Sequence, residues 1–190
     1  MQSMSTRGNS PWSIMWSNIR AATNPIAREI YSMGSISAHQ IAQDFTQAAA
    51  LAGVHVNLSD IHITEQSAPH VRPSLGRGKF AVYVFLYREH CLKVGKAGPK
   101  SAARFTSQHY GMAAPSTLAK SLLGKQAKIG LTHLTEANVA EWILNNTSRI
   151  NFLLPATYPV AVLSLFEAFV QCRLDPIFEG FDSQRTPALV

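Results

Sequence analysis

Tyr83 lies inside the apolar run Phe80-Ala-Val-Tyr-Val-Phe-Leu86, and ten positions later Lys93 opens the stretch Lys93-Val-Gly95-Lys96-Ala97. Arg104 and His109 follow, and much further on Glu167 stands among Leu165, Phe166, Ala168 and Phe169. A phenol, an ammonium, a guanidinium, an imidazole and an isolated carboxylate are the groups that metal-assisted hydrolysis of a phosphodiester needs. A carboxylate buried in an apolar run must be paired, neutral or metal-bound. A hard divalent ion held through one carboxylate, its other positions filled by water and phosphate oxygens, is the habit of Mg²⁺, for which Mn²⁺ can substitute. Glu167 equally fits a polar helix stripe with Ser164, Gln171 and Arg173.

The other groups also carry two readings. Tyr83 in mid-strand fits a core tyrosine with a bonded hydroxyl; an ammonium beside it would favour the phenolate and make it a base. Lys93 is on the same side as Cys91 and Gly95 in an ideal strand, and so could supply that ammonium or be a solvated side chain on an edge. Arg104 can grip a phosphate with its planar fork and offset developing charge, while His109 can orient water or protonate a leaving oxygen. Lys96 and Lys100 beside glycines suit a phosphate-facing loop or an ordinary exposed turn. His39, His55, His62, His70, His90 and His133 have neither metalloprotease nor zinc-finger spacing and receive no role. Walker, nucleophile-elbow and dinucleotide motifs are missing from the sequence.

The elements that must position these residues are legible in the pattern. Trp12, Ile14, Met15, Ile19 and Ile26 suggest a helix after a polar start. Ser37-Ala-His-Gln40 has the form of a capping box; Ile41, Phe45, Ala48 and Ala49 share one face, and Gly53 marks the stop. Val54, Val56 and Leu58, then Ile61 and Ile63, suggest extended segments around the break at residues 57–60. The stretch 67–79, with Pro69, Pro73, Gly76, Gly78, Arg72, Arg77 and Lys79, reads as a basic linker. Phe80–Tyr87 and His90–Gly95 form an expected hairpin around Arg88-Glu89, and Ile150–Leu154 a third strand. Helices are expected over Ser101–Tyr110, Ser116–Ile129, Glu136–Asn146 and Val160–Leu174, the last ended by Pro176.

The 190 residues leave room for one domain and an appendage, and 46% hydrophobic content is enough for a core. Seventeen Lys and Arg against eleven Asp and Glu give a formal charge of +6 and a pI near 9.6, which favours a polyanionic partner. Cys91 and Cys172 sit in apolar surroundings without metal-ligand spacing and read as buried reduced thiols, hence a cytoplasmic protein. No apolar run reaches membrane-spanning length, and no secretory signal pattern opens the chain.

In order and spacing, Ala81-Val82-Tyr83, Lys93-Val94-Gly95, Arg104, His109, Glu167 and Leu174-Asp-Pro176-Ile-Phe178 resemble the GIY-YIG nuclease superfamily over roughly residues 79–181. The resemblance implies an α+β fold, a small three-stranded mixed or antiparallel sheet flanked by helices, with an N-terminal helical and extended appendage over 1–78, a helical insertion over 111–148 and a tail over 182–190. It implies a one-metal mechanism in which Tyr83 activates water, Arg104 binds phosphate and Glu167 holds the ion. Lys93 replaces the second-motif tyrosine, as in some restriction enzymes of the superfamily, and is taken as a helper of Tyr83. Glu179 stands near the place where many relatives carry asparagine.

The resulting expectation is a Mg²⁺-dependent DNA endonuclease of restriction or phage-defence type, with RNA left open as a substrate. Lys96, Lys100, Arg77 and Lys79 would contact phosphates, giving affinity that falls steeply with salt. Two copies of the chain would supply the two sites that a double-strand cut requires. The alternatives are a catalytically idle nucleic-acid-binding module and an effector or toxin nuclease held in check by a partner.

Overall fold

The computed structural model describes residues 37–178; the expected helix around Trp12–Ile26, Glu179 and the tail over 182–190 lie outside the described residues. Helix α1 (Ala38–Leu51) buries Ala38, Ile41, Ala42, Phe45 and Ala49, and the chain leaves it through Gly53, whose φ of +75° suits the only residue without a Cβ. The segment 54–57 is not a strand. A 3-10 turn over Leu58–Asp60 leads instead into β1 (His62–Gln66).

Strands β2 (Lys79–Tyr87) and β3 (His90–Ala97) form the expected hairpin around Arg88-Glu89, and β4 (Ser148–Pro155) completes a sheet of order β1-β4-β2-β3, antiparallel at every pairing. The expectation of three strands is therefore corrected to four. The fourth is β1, too short and too interrupted by His62, Thr64 and Glu65 to stand out by alternation, and it gains its place by pairing with β4. Both α1 and β1, which precede residue 79, belong to the same structural unit as the sheet.

Helices cover both faces. On one, Phe45 of α1 stacks on Phe166 of α5 (Val160–Leu174) at 3.9 Å between ring centroids, and Phe166 meets Phe152 of β4 at 5.2 Å. On the other, Ala81, Tyr83 and Phe85 pack with residues from α2 (Ala102–Thr106), α3 (Leu118–Lys125) and α4 (Val139–Asn146). Trp142 of α4 packs on Tyr87. The three helices expected here are shorter than their patterns: α2 is flanked by 3-10 turns over Pro99–Ser101 and Gln108–Tyr110, α3 passes into another over Gln126–Ile129, and α4 begins only at Val139. Thr117 caps α3 by accepting the Lys120 N–H at 3.1 Å. Pro176 ends α5, after which Ile177 and Phe178 donate backbone hydrogen bonds to Cys91 and Leu92 on the outer edge of β3. Cys91 is buried as expected, but Cys172 is exposed: it falls on the solvent side of α5. Among the described residues no helix is long and apolar enough to cross a membrane.

Candidate functional site

Register places Gly95 directly opposite Tyr83. The tyrosine ring lies across that glycine so closely that a Cβ there would stand 2.6 Å from the hydroxyl oxygen and 2.7 Å from Cζ. Tyr83 is fully buried, with Phe85, Phe105 and His109 edge-on or tilted around it. The Gly in Lys93-Val94-Gly95 thus has a direct physical reason: it is the floor on which the phenol rests.

His109 reaches that phenol because the helix stops. Two residues five apart on a continuous helix point about 140° away from one another. The break at Ser107, where its N–H bonds the Ala103 carbonyl, re-aims the chain so that Arg104 stays exposed while His109 is 1% exposed. His109 Nδ1 accepts the Leu118 N–H at 3.2 Å and is therefore unprotonated. The ring proton sits on Nε2, which donates to Tyr83 Oη at 2.6 Å. Burial, then the charges of Lys93, Arg149 and Arg104, push His109 down to about 3, so the imidazole is neutral at physiological pH. It holds the phenol and has no acidic proton of its own to give.

Burial drives Tyr83 up to about 12, opposed by Arg104 and the charge of Arg149, and reinforced by Glu167. Tyr83 Oη accordingly accepts from His109 at 2.6 Å, and the positive charge of Arg104 acts on it. Glu167 approaches from α5 and is only partly exposed; its Oε2 lies 2.7 Å from Lys96 Nζ, which also donates to Ser164 Oγ at 3.2 Å. A bulge at Leu92 sets Lys93 opposite Phe85, on the Tyr83 face, and moves Cys91 off that face. Lys93 is 2% exposed and donates to Ser116 Oγ at 3.3 Å and to the Phe178 carbonyl at 3.4 Å. The charges acting most strongly on the Tyr83 phenol are those of the two arginines. Arg77 and Lys100 are exposed and Lys79 half-buried, at the end of the sheet where β2 begins and β3 finishes.

Several residues of the site carried no recognised signal. Arg149, fully buried on β4, donates to Asn151 Oδ1 (2.7 Å), the Phe105 carbonyl (2.7 Å) and Tyr110 Oη (3.1 Å), with its guanidinium 4.5–5.1 Å from the ring centres of Phe105, Phe85 and Tyr83. His70, given no role above, donates from Nδ1 to the Thr147 carbonyl at 2.7 Å and accepts the Tyr110 hydroxyl at Nε2 at 2.8 Å. The usable signal was Arg149 and Asn151 two apart beside an apolar strand, which places both on one face.

As for a metal, the described residues contain no group of three or more His, Cys, Asp or Glu that could hold one. A single carboxylate is the donor set that suits Mg²⁺ bound mainly by water and phosphate. Glu167 is one such lone carboxylate, and the cation beside it is the Lys96 ammonium at 2.7 Å. The fold and site together define an α+β protein with a tyrosine-histidine-arginine cluster at the outer edge of an antiparallel sheet. Comparison with family models, curated proteins and solved structures gave no match.

Proposed function

We propose that the chain is a GIY-YIG-type, Mg²⁺-dependent DNA endonuclease that hydrolyses phosphodiesters by water attack. The observation that carries this reading is the Tyr83 hydroxyl laid over Gly95 and held by His109, with the charges of Arg104 and Glu167 close enough to act on it. The His109 N–H on Tyr83 Oη turns the phenol's own proton away from the imidazole, toward an incoming oxygen. Held near 12, the phenol carries its proton at neutral pH; to act as base it would first release that proton to solvent, and the phenolate would then take one from the attacking water. Arg104 is exposed and able to turn its fork onto a phosphate. Glu167 would hold the ion, with Lys96 displaced onto the substrate; the bound ion would supply charge to stabilise the pentavalent oxygens.

A second reading, a nucleic-acid-binding module without catalysis, is favoured by two observations: Tyr83 is wholly buried, and Lys96 already neutralises Glu167. One experiment separates them. Mixed-sequence plasmid and phage DNA is incubated with Mg²⁺, Mn²⁺ or EDTA and with parent, Glu167→Ala or Tyr83→Phe protein. Discrete metal-dependent fragments lost in both variants, with DNA binding kept, are expected. Cleavage by Glu167→Ala at the parental rate would sink the metal assignment, and salt-sensitive binding without cleavage in any ion would favour the second reading.

A further inference from the structure

Beside the Tyr83–His109 pair lies a cavity of about 230 Å³ between the Arg104–His109 segment and the loop that leads into α3. Its walls include Arg104, Gln108, His109, Ser116 and Thr117. The volume falls short of the ~300–1,000 Å³ that receives a drug-sized ligand, and suits a phosphoryl group with part of its sugar.

Ala114 and Pro115 make the apolar part of the wall, and the rest supplies donors. Arg104 presents its exposed guanidinium. Ser116 Oγ accepts from the buried ammonium of Lys93, which leaves the serine's own proton to be donated outward and polarises it by a charge held behind it. Gln108 adds an amide. His109 has both nitrogens engaged, with Leu118 N–H and Tyr83 Oη, so it shapes the wall and contributes no acceptor. No carboxylate lies in the described lining. Such a pocket selects an anion, and its place one side chain from Tyr83 selects an anion on the same strand as the reacting group.

We propose that this cavity is a subsite for the backbone phosphate adjacent to the scissile one, with Ser116, backed by Lys93, as its principal hydroxyl donor. The proposal rests on the nuclease reading for the identity of the strand, and on the cavity alone for its preference for phosphate. Ser116 belongs to the 111–148 segment, so the subsite is a function for part of that insertion.

The test uses the full chain in EDTA, so that cleavage plays no part. Thymidine 5′-monophosphate, thymidine and inorganic phosphate are titrated separately while the backbone amide signals of Gln108, Ser116 and Thr117 are followed by NMR. The expected result is that the monophosphate and inorganic phosphate shift those signals and thymidine does not. Ser116→Ala should weaken the monophosphate about tenfold, the loss typical of one hydrogen bond to a charged group, and Ser116→Asp should abolish it. Ser116 is exposed but accepts from the buried Lys93, so the amide spectra of both variants are compared with the parent's before titration to check the fold. Equal shifts from thymidine and its monophosphate, shifts confined to Lys96, Lys100 and Arg77, or parental affinity in Ser116→Asp would each overturn the subsite. Monophosphate binding by a protein that cuts no DNA would keep the pocket's phosphate preference and overturn the nuclease reading; cleavage without monophosphate binding would do the reverse.

Discussion

Gly95 is the residue on which the site turns. Its backbone is not in the left-handed region, so a side chain there meets a steric obstacle alone: Tyr83, 2.6–2.8 Å from the position of a Cβ. A flexible neighbour could swing away, but Tyr83 is fully buried against Phe85, Phe105 and His109 and has nowhere to go. Gly95→Ala should therefore cost about 1–3 kcal/mol, the usual range for overpacking, and should break the 2.6 Å bond between Tyr83 and His109. Urea unfolding measures the first, and the chemical shift of the His109 Nε2 proton the second. Unchanged values in both would mean that the phenol is not resting on this glycine. The glycine was legible in the sequence as a motif position. That it serves as the floor for a tyrosine on the neighbouring strand was not, because the contact depends on cross-strand register.

At the scale of elements, α2 is only five residues long and cannot hold its own orientation. Arg149 holds it, gripping the Phe105 carbonyl at 2.7 Å from β4 while three aromatic rings surround its guanidinium. Arg149→Met keeps much of the volume but orphans the Phe105 carbonyl and Asn151 Oδ1 from this donor. With about 1–3 kcal/mol for each buried unsatisfied acceptor, the variant should lose roughly 2–6 kcal/mol, and amide hydrogen exchange should accelerate first over 102–110. Exchange that quickens uniformly, or not at all, would show that α2 does not depend on this contact. The strong elements were readable from periodicity: α1, the β2–β3 hairpin and α5 all present long apolar patterns. The weaker ones were not, since β1 and the ends of α2 and α3 are decided by tertiary partners such as β4, Arg149 and the Thr117 cap. Tyr83 and His109 are in contact, and Arg104 and Glu167 act on Tyr83 through their charges; Arg149 stayed hidden because an arginine at a strand boundary reads as exposed until its buried partners are known.

For the whole molecule, the two faces of the sheet divide the labour. The α1/α5 face is an aromatic and aliphatic core, whereas the other buries a polar chain from Thr64 through Asn151, Arg149 and Tyr110 to His70, next to Tyr83 and His109. Burial holds His109 at about 3 against 6.5 for a free imidazole and also lowers His70. As pH falls below 6.5 the unfolded chain takes up protons that the folded one refuses, so stability present above 6.5 is lost progressively toward pH 3. Tyr83 has the opposite sign: raised to about 12 from 10.0, it contributes stability that is present below pH 10 and is lost between 10 and 12. Stability should therefore peak between about pH 6.5 and 10, with the acidic limb amounting to a few kcal/mol. Urea midpoints taken from pH 4 to 11 check this, and His109→Gln provides the control. Glutamine has no proton to gain, so the variant should be less stable at pH 8 yet lose less on acidification to pH 5. If parent and variant fall in parallel over that range, the neutral His109 is not what ties this protein's stability to pH.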